Sequence, residues 1–147
     1  MQQQVRVKKL KEGAVLPTYG SDYAAGADLY SCLEQPVDIL PHQTVLIPTG
    51  LSMEIPVGYA GLIYARSGIA LKQGLAPANK VGVIDADYRG EILVALHNHS
   101  DQPASVEPAE RIAQLVITPY LTAQFVQVQE LEDTVRGMGG FGSTGTK

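Results

Sequence analysis

The chain has 147 residues, 45% of them hydrophobic, and a formal net charge of −4. This length and composition predict one folded domain with a sizeable core. The acidic balance argues against a nucleic-acid-binding face, and no apolar run approaches the roughly 18 residues of a membrane span. The single cysteine, Cys32, cannot form an internal disulfide, and we expect it to pack as a small apolar side chain. Since the N-terminus lacks a signal-peptide pattern, we expect a cytoplasmic protein.

Short apolar runs between prolines and glycines predict a series of short β-strands. In chain order these are residues 5–10, 27–31, 37–40, 44–47, 51–55, 59–64, 81–84, 92–96, 111–117 and 125–128. Only residues 67–72 favour a helix, and Gly74 should end it after little more than one turn. The pattern predicts an all-β, single-domain fold, a jelly-roll-like barrel or sandwich with one short helix.

Residues 81–91 read V-G-V-I-D-A-D-Y-R-G-E, an apolar run that stops at a carboxylate. We interpret this stretch as the tip of a β-hairpin that continues into residues 92–96. Asp85 then lies where a packed strand ends, as a general base on a rigid element should. Aspartate and tyrosine are also common in turns, so a purely structural hairpin is the alternative.

Two shorter segments carry polar side chains whose roles the residues alone leave open. Arg66 and Ser67 precede the predicted helix, where a cation, a hydroxyl and free N–H groups favour an anion. The alternative is that Ser67 caps the helix and Arg66 makes a surface ion pair. Asp28 suits either a metal site or a strand end, and Asn79 suits a turn after Pro77.

The last residues, 137–147, are rich in glycine and follow Arg136. Such a segment should be mobile when empty, because ordering glycine costs more conformational entropy than ordering other residues. A disordered terminus is one interpretation. Arg136 and the aromatic Phe141 favour another, a lid over a ligand that carries both phosphate and a base. The G-x-G-x-x-G match at residues 140–145 is spurious, since no strand–turn–helix unit can follow it.

His97 and His99 form an H-x-H pair, which on a strand would lie on one face. No third ligand has suitable spacing, so we do not expect zinc. The sequence also lacks a G-x-S-x-G elbow for a serine nucleophile.

Five segments, taken together and in order, resemble the five motifs of the trimeric dUTPase family. They are A-A-G-A-D-L-Y-S (24–31), A-R-S-G (65–68), residues 81–91, E-R-I-A-Q-L (110–115) and R-G-M-G-G-F-G-S-T-G (136–145). The resemblance covers nearly the whole chain. One departure is Ala109, where the family usually has glycine, and this questions the local turn.

The resemblance implies Mg²⁺-dependent hydrolysis of dUTP to dUMP and pyrophosphate, which limits uracil in DNA and supplies dUMP for dTTP synthesis. Asp85 would activate the water that attacks the α-phosphorus, and Gln114 would lie near the phosphates and that water. Asp28 would hold Mg²⁺ through water, with the triphosphate as the main ligand. The implied substrate-binding residues are Arg66, Ser67 and Gly68 for the triphosphate, Asn79, Gly82, Val83 and Ile84 for uracil, Tyr88 for the deoxyribose, and Arg136, Phe141, Gly142 and Ser143 from the tail.

The resemblance further implies a homotrimer with active sites shared between subunits. Residues 1–135 would form the β domain, and residues 136–147 a flexible arm that closes over the nucleotide. Two alternatives remain, a dCTP deaminase relative and a non-catalytic nucleotide-binding regulatory protein. The complete motif set, including the tail, weighs against the deaminase, and the presence of Asp85, Arg66 and Arg136 weighs against lost chemistry.

Overall fold

The computed structural model describes residues 2–146, so that Met1 and Lys147, the outer ends of the predicted domain and arm, lie outside the described residues. Within this range no helix is long and apolar enough to cross a membrane. The elements in chain order are β1 (Arg6–Lys9), β2 (Thr18–Tyr19), β3 (Ala27–Tyr30), β4 (Val37–Ile39), β5 (Thr44–Pro48), β6 (Leu51–Glu54), β7 (Tyr59–Tyr64), α1 (Ser67–Gln73), β8 (Leu75–Pro77), β9 (Gly82–Ile84), β10 (Leu93–Asn98), β11 (Ala104–Val106) and β12 (Arg111–Pro119).

The strands pair antiparallel in four open sheets across residues 2–146. The largest has the order β2-β3-β12-β7-β9, and a second has the order β5-β10-β8. The pairs β1-β6 and β4-β11 complete the fold. The all-β prediction is confirmed in its sandwich form, since no sheet closes into a barrel among these residues.

Apolar side chains from these sheets form one core between them. Leu29, Ile39, Ile47, Leu96 and Ile112 are fully buried within it. Burying each such side chain contributes roughly 1.5–3 kcal/mol to folding. Cys32 packs partly buried against the same cluster, in line with its expected apolar role.

The predicted hairpin at residues 81–91 is wrong. Strand β9 pairs with β7, whereas β10 pairs with β5 and β8, so the connection passes from one sheet to another. An apolar run on each side of a turn is compatible with both arrangements, because the pattern fixes which residues are buried but not which strands pair. The turn at residues 85–91 is therefore a corner between two sheets.

The prediction of a strand at residues 125–128 is also wrong, while the other nine predicted strands are present. Residues 120–146 contain no strand, and Phe125 is 95% exposed. A strand needs a hydrogen-bonding neighbour, and this segment pairs with no strand of its own chain. Sequence reasoning missed β2, β8 and β11, because each has only two or three residues.

The predicted helix is confirmed, but its N-terminus differs from one of the two interpretations. Arg66 is the N-cap residue, and no side chain caps the helix, so Ser67 is the first helical residue instead of the cap. Gly74 ends the helix in the left-handed conformation, with φ 67°.

The turn before β12 places Ala109 in the left-handed region of backbone conformation. Ala109 has φ 57°, and its N–H donates to the Ser31 carbonyl over 3.1 Å. The Ser31 hydroxyl donates to the Glu107 carbonyl at 2.6 Å, and the Glu110 carboxylate accepts from the Glu107 N–H at 2.7 Å. These side-chain bonds hold the turn while alanine occupies an unfavourable region of backbone conformation.

Replacing Ala109 with glycine should raise stability by about 1 kcal/mol, because glycine adopts positive φ without a Cβ clash. Thermal and urea unfolding would measure the change. The matched control is Ala70→Gly in the middle of α1, which should destabilise by about 1 kcal/mol. Equal losses in both variants would contradict the strain at Ala109.

Candidate active site

One pocket, the charged pocket, forms where β3, β12 and the start of α1 meet. Asp28 on β3 and Gln114 on β12 are direct cross-strand partners, so their side chains project from the same face of the sheet. Arg66 follows the neighbouring strand β7. The cavity is about 250 Å³, and its lining consists of Gly20, Ala24, Gly26, Asp28, Arg66, Ser67, Gly68, Arg111 and Gln114.

An ion-pair network fixes the cations of the charged pocket. Arg66 Nε donates to Asp28 Oδ1 at 2.7 Å, and Arg111 Nη1 lies 3.5 Å from Asp28 Oδ2. The Asp28 side chain is only 12% exposed, while that of Arg111 is 52% exposed. Two arginines against one carboxylate leave the pocket with an excess positive charge, which suits an anionic ligand.

Gln114 is held in one orientation. Its Nε2 donates to the Ala65 carbonyl at 2.8 Å, so Oε1 is the free acceptor of the amide. That oxygen lies against Gly26, where an added Cβ would overlap Oε1 and come within 3.1 Å of the Gln114 Cβ and Cδ. Gly26 is thus required by close approach, and Oε1 can accept a hydrogen bond from a ligand or water in the pocket.

A second pocket, the apolar pocket, lies between β9, β10 and the 85–91 turn. Its volume is about 300 Å³, at the lower end of the range for small-molecule sites. The lining residues are Leu46, Ile63, Pro77, Asn79, Gly82, Val83, Ile84, Asp85, Tyr88, Glu91, Ile92, Leu93, Val94 and Ala95. The polar groups of Asn79, Asp85 and Tyr88 therefore stand among apolar side chains, which is typical of small-molecule sites.

The polar residues of the apolar pocket are positioned by short-range contacts. The Tyr88 hydroxyl donates to the Glu91 carbonyl at 2.9 Å, and its ring packs so closely on Gly90 that no Cβ fits there. Gly82 likewise approaches the Asn79 amide, since an added Cβ would lie 3.3 Å from Nδ2. Asp85 is exposed at the end of β9.

The predicted site residues fall into three places in the single chain. The charged pocket contains Asp28, Arg66, Ser67, Gly68 and Gln114, and the apolar pocket contains Asn79, Gly82, Val83, Ile84, Asp85 and Tyr88. The tail residues Arg136, Phe141, Gly142 and Ser143 line neither pocket. Arg136 Nε instead donates to the Gly139 carbonyl at 2.8 Å, and Phe141 is fully exposed.

Sequence reasoning missed several lining residues. Arg111 is not among the site residues that the family resemblance implies, although it both pairs with Asp28 and lines the charged pocket. In a regular strand Arg111 and Gln114, three residues apart, would lie on opposite faces of the sheet. The bulge between Arg111 and Ala113 changes the register, so the sequence pattern gave no indication of this contact. Gly26 lies in the 24–31 motif, two residues before Asp28. Its sequence signal is this spacing, since residues two apart on a strand share a face.

The histidine pair lies at the end of β10, with the two rings 4.6 Å apart in a T-shaped arrangement. Among the described residues, no group of three His, Cys, Asp or Glu side chains is arranged to hold a metal ion. A small loss of hydration at this exposed side chain and the neighbouring His97 lower the pKa of His99. His97 instead shares a 2.9 Å hydrogen bond with Thr44.

Solved structures with the same fold define the class of protein. A mutant dUTPase of Staphylococcus bacteriophage 80alpha with dUpNHpp matches with a TM-score of 0.88 and 31% identity, over 99% of this chain and 100% of that chain. A mutant dUTPase from phage phi11 of S. aureus, described for the coordination of a structural Mg(II) ion, matches with a TM-score of 0.79 and 27% identity, over 89% of this chain and 100% of that chain. The fold is therefore the jelly roll of dUTPases.

The family follows from the sequence comparisons. The family model for dUTPase matches residues 12–145, which is most of the chain. The deoxyuridine 5'-triphosphate nucleotidohydrolase of Syntrophotalea carbinolica is 48% identical over 141 residues, covering 96% of both chains. This chain belongs to the dUTPase family, a family of hydrolases.

A methyl group at Gly26 tests how Gln114 is held. Gly26→Ala should push the Gln114 amide off the Ala65 carbonyl and destabilise the protein by about 1–3 kcal/mol, because the added Cβ occupies the space of Oε1. The side-chain amide signal of Gln114 in a ¹H–¹⁵N spectrum would report the lost bond. Gly20→Ala in the same pocket is the control, since a Cβ there meets open space. An unshifted Gln114 signal in Gly26→Ala would contradict the close approach.

Proposed function

We propose that this protein hydrolyses dUTP to dUMP and pyrophosphate in the cytoplasm, which limits uracil in DNA and supplies dUMP for dTTP synthesis. The observation that carries the proposal is the apolar pocket, where the Asn79 amide, the Asp85 carboxylate and the Tyr88 ring line a space of about 300 Å³. The similar phage enzyme with dUpNHpp supports the same substrate.

Uracil is recognised by Asn79 and by the backbone of β9. In the described chain β9 pairs with β7 alone, so its other edge offers N–H and C=O groups to a ligand. Uracil presents a donor between two acceptors and suits such an edge, and the Asn79 amide supplies both kinds of partner. Cytosine would leave polar groups unpaired, which costs orders of magnitude in specificity.

Asp85 acts as the general base. Its carboxylate is exposed and lines the apolar pocket, so the α-phosphate of a nucleotide bound with its base in that pocket would lie beside it. Asp85 takes a proton from water as the oxygen attacks the α-phosphorus, and the bond to the bridging oxygen breaks to release pyrophosphate. Fixed donors that stabilise the developing negative charge supply most of the remaining catalysis.

The triphosphate occupies the charged pocket. Arg66, Ser67 and Gly68 bind its oxygens, and the oriented Oε1 of Gln114 accepts a hydrogen bond from the attacking water. The Asp28 carboxylate already pairs with two arginines. It would therefore contact a metal ion through water and not as a direct ligand. Mg²⁺ bound to the triphosphate would neutralise charge on the leaving pyrophosphate.

We further propose a homotrimer with shared sites. The charged and apolar pockets have separate linings in one chain, and a complete site arises when the charged pocket of one subunit faces the apolar pocket of another. Residues 1–135 form the β domain of this assembly. Residues 136–147 form the arm, in which Arg136 meets phosphate, Phe141 stacks on the base, and Gly142 and Ser143 close around the nucleotide.

Removing the base tests the chemistry. Asp85→Asn should lower kcat by roughly 10²–10⁴-fold, because the amide cannot accept the proton. Pyrophosphate release with Mg²⁺ would be measured for dUTP, UTP, dCTP and dTTP, and ammonia would be followed in parallel. Asp87→Asn, an exposed carboxylate in the same turn, is the control and should retain activity.

The substrate panel separates the alternatives. Release from dUTP alone supports the proposal, and ammonia from dCTP would move the protein to the deaminase. Binding of dUTP with no turnover by the wild-type protein would indicate a nucleotide-binding regulator. Full turnover by Asp85→Asn would remove Asp85 from the role of base.

Opening the sugar side of the pocket tests Tyr88. Tyr88→Ala should raise UTP hydrolysis relative to dUTP by about tenfold or more, because space for a 2′-hydroxyl appears where the ring packed. The ratio of kcat/KM values for the two substrates measures this. Tyr120→Ala, an exposed tyrosine outside both pocket linings, should leave the ratio unchanged.

A further inference from the structure

Arg89 closes the turn that carries Asp85 and Tyr88. Its Nη1 donates to the Ala86 carbonyl at 2.6 Å and to the Tyr88 carbonyl at 3.1 Å. The Tyr88 N–H donates to the Asp85 carbonyl at 3.1 Å within the same turn. One guanidinium nitrogen therefore joins the carbonyl of Ala86, the residue after the proposed base, to the carbonyl of Tyr88 itself.

Arg89 also contacts two residues of β6. The Ser52 hydroxyl, on a buried residue, donates to the Arg89 carbonyl at 2.6 Å. Glu54, two residues further along β6, has Oε1 3.9 Å from Arg89 Nη2. Ser52 and Glu54 thus connect the 85–91 turn to a strand outside both pockets.

Glu54 also binds Arg6 on β1, with Oε1 2.5 Å from Nη2. The hydrogen bond from Arg6 lowers the pKa of Glu54, so this carboxylate is ionised at neutral pH and attracts both arginines. The side chains of Arg6 and Arg89 are 73% and 54% exposed, respectively. Because exposed ion pairs contribute little to stability, we expect Arg89 to affect the geometry of the 85–91 turn more than the free energy of unfolding.

We propose that Arg89 is a positioning residue for the dUTPase reaction, one that sets the Asp85 carboxylate and the Tyr88 ring through the carbonyls of the turn. Arg89 lines neither pocket. Its charged donor makes stronger hydrogen bonds to the two carbonyls than water would. This inference rests on the proposed roles of Asp85 and Tyr88.

The experiment compares variants of the full chain. Arg89→Met keeps the length and apolar stem but loses every donor, and Arg89→Lys keeps several donors on one nitrogen. Arg6→Met removes the other partner of Glu54 and leaves the turn bonds intact, so it is the matched control. The readouts are kcat and KM for dUTP, the dUTP-to-UTP ratio of kcat/KM, the melting temperature and amide exchange at Tyr88.

We expect Arg89→Met to lower kcat about 10–100-fold, since displacing a reacting group by about 1 Å can cost 10²-fold. The dUTP-to-UTP ratio should fall as well, and exchange at the Tyr88 amide should speed up. Arg89→Lys should recover part of kcat and of the ratio. Arg6→Met should stay within about twofold of wild type in kcat and in the ratio, since it leaves both carbonyl bonds in place.

Two results would overturn the proposal. One is that Arg89→Met matches Arg6→Met in kcat, substrate ratio and Tyr88 exchange. The other, which decides the matter should Arg89→Met fail to fold, is that a folded Arg89→Ala, which also loses every donor, shows no change in kcat, ratio or exchange relative to wild type. Failure of the proposed function is distinguishable, because the wild-type protein would then release no pyrophosphate from dUTP while Tyr88 exchange still reports the turn.

Discussion

Strand β12 lies between β3 and β7, and its two hydrogen-bonded registers determine the charged pocket. On one side Gln114 faces Asp28, and on the other it faces Tyr64, two residues before Arg66. A shift of one residue in either register would turn Gln114 to the opposite face of the sheet. The Asp28–Arg66 ion pair and the bond from Gln114 to Ala65 both follow from this alignment.

The apolar pocket depends on a different constraint, the change of sheet between β9 and β10. Because the two strands pair with different neighbours, the 85–91 turn spans a corner and exposes Asp85 beside a cavity. A simple hairpin would have brought β9 and β10 side by side and covered the edge of β9. The corner leaves that edge available, and bonds from Tyr88, Arg89 and Ser52 hold the turn in place.

Much of this was predictable from particular residues. The apolar runs gave nine strands, and Gly74 gave the end of the helix. The family resemblance implied Asp28, Arg66 and Gln114 as site residues from three different motifs, and all three line one cavity. Arg111 and Gly26 were not predicted as site residues, since their importance arises from contacts across strands distant in sequence.

The sequence by itself determined nine of the strands, the apolar runs that supply the core and the residues that carry charge near those runs, because these depend on local periodicity and composition. Strand partners depend on long-range packing, so only the tertiary structure decided that β9 and β10 part at Ile84 and that two pockets form. The same reason explains the left-handed Ala109, whose turn is held by Ser31, some eighty residues earlier. Side-chain hydrogen bonds between distant segments have no counterpart in a local pattern.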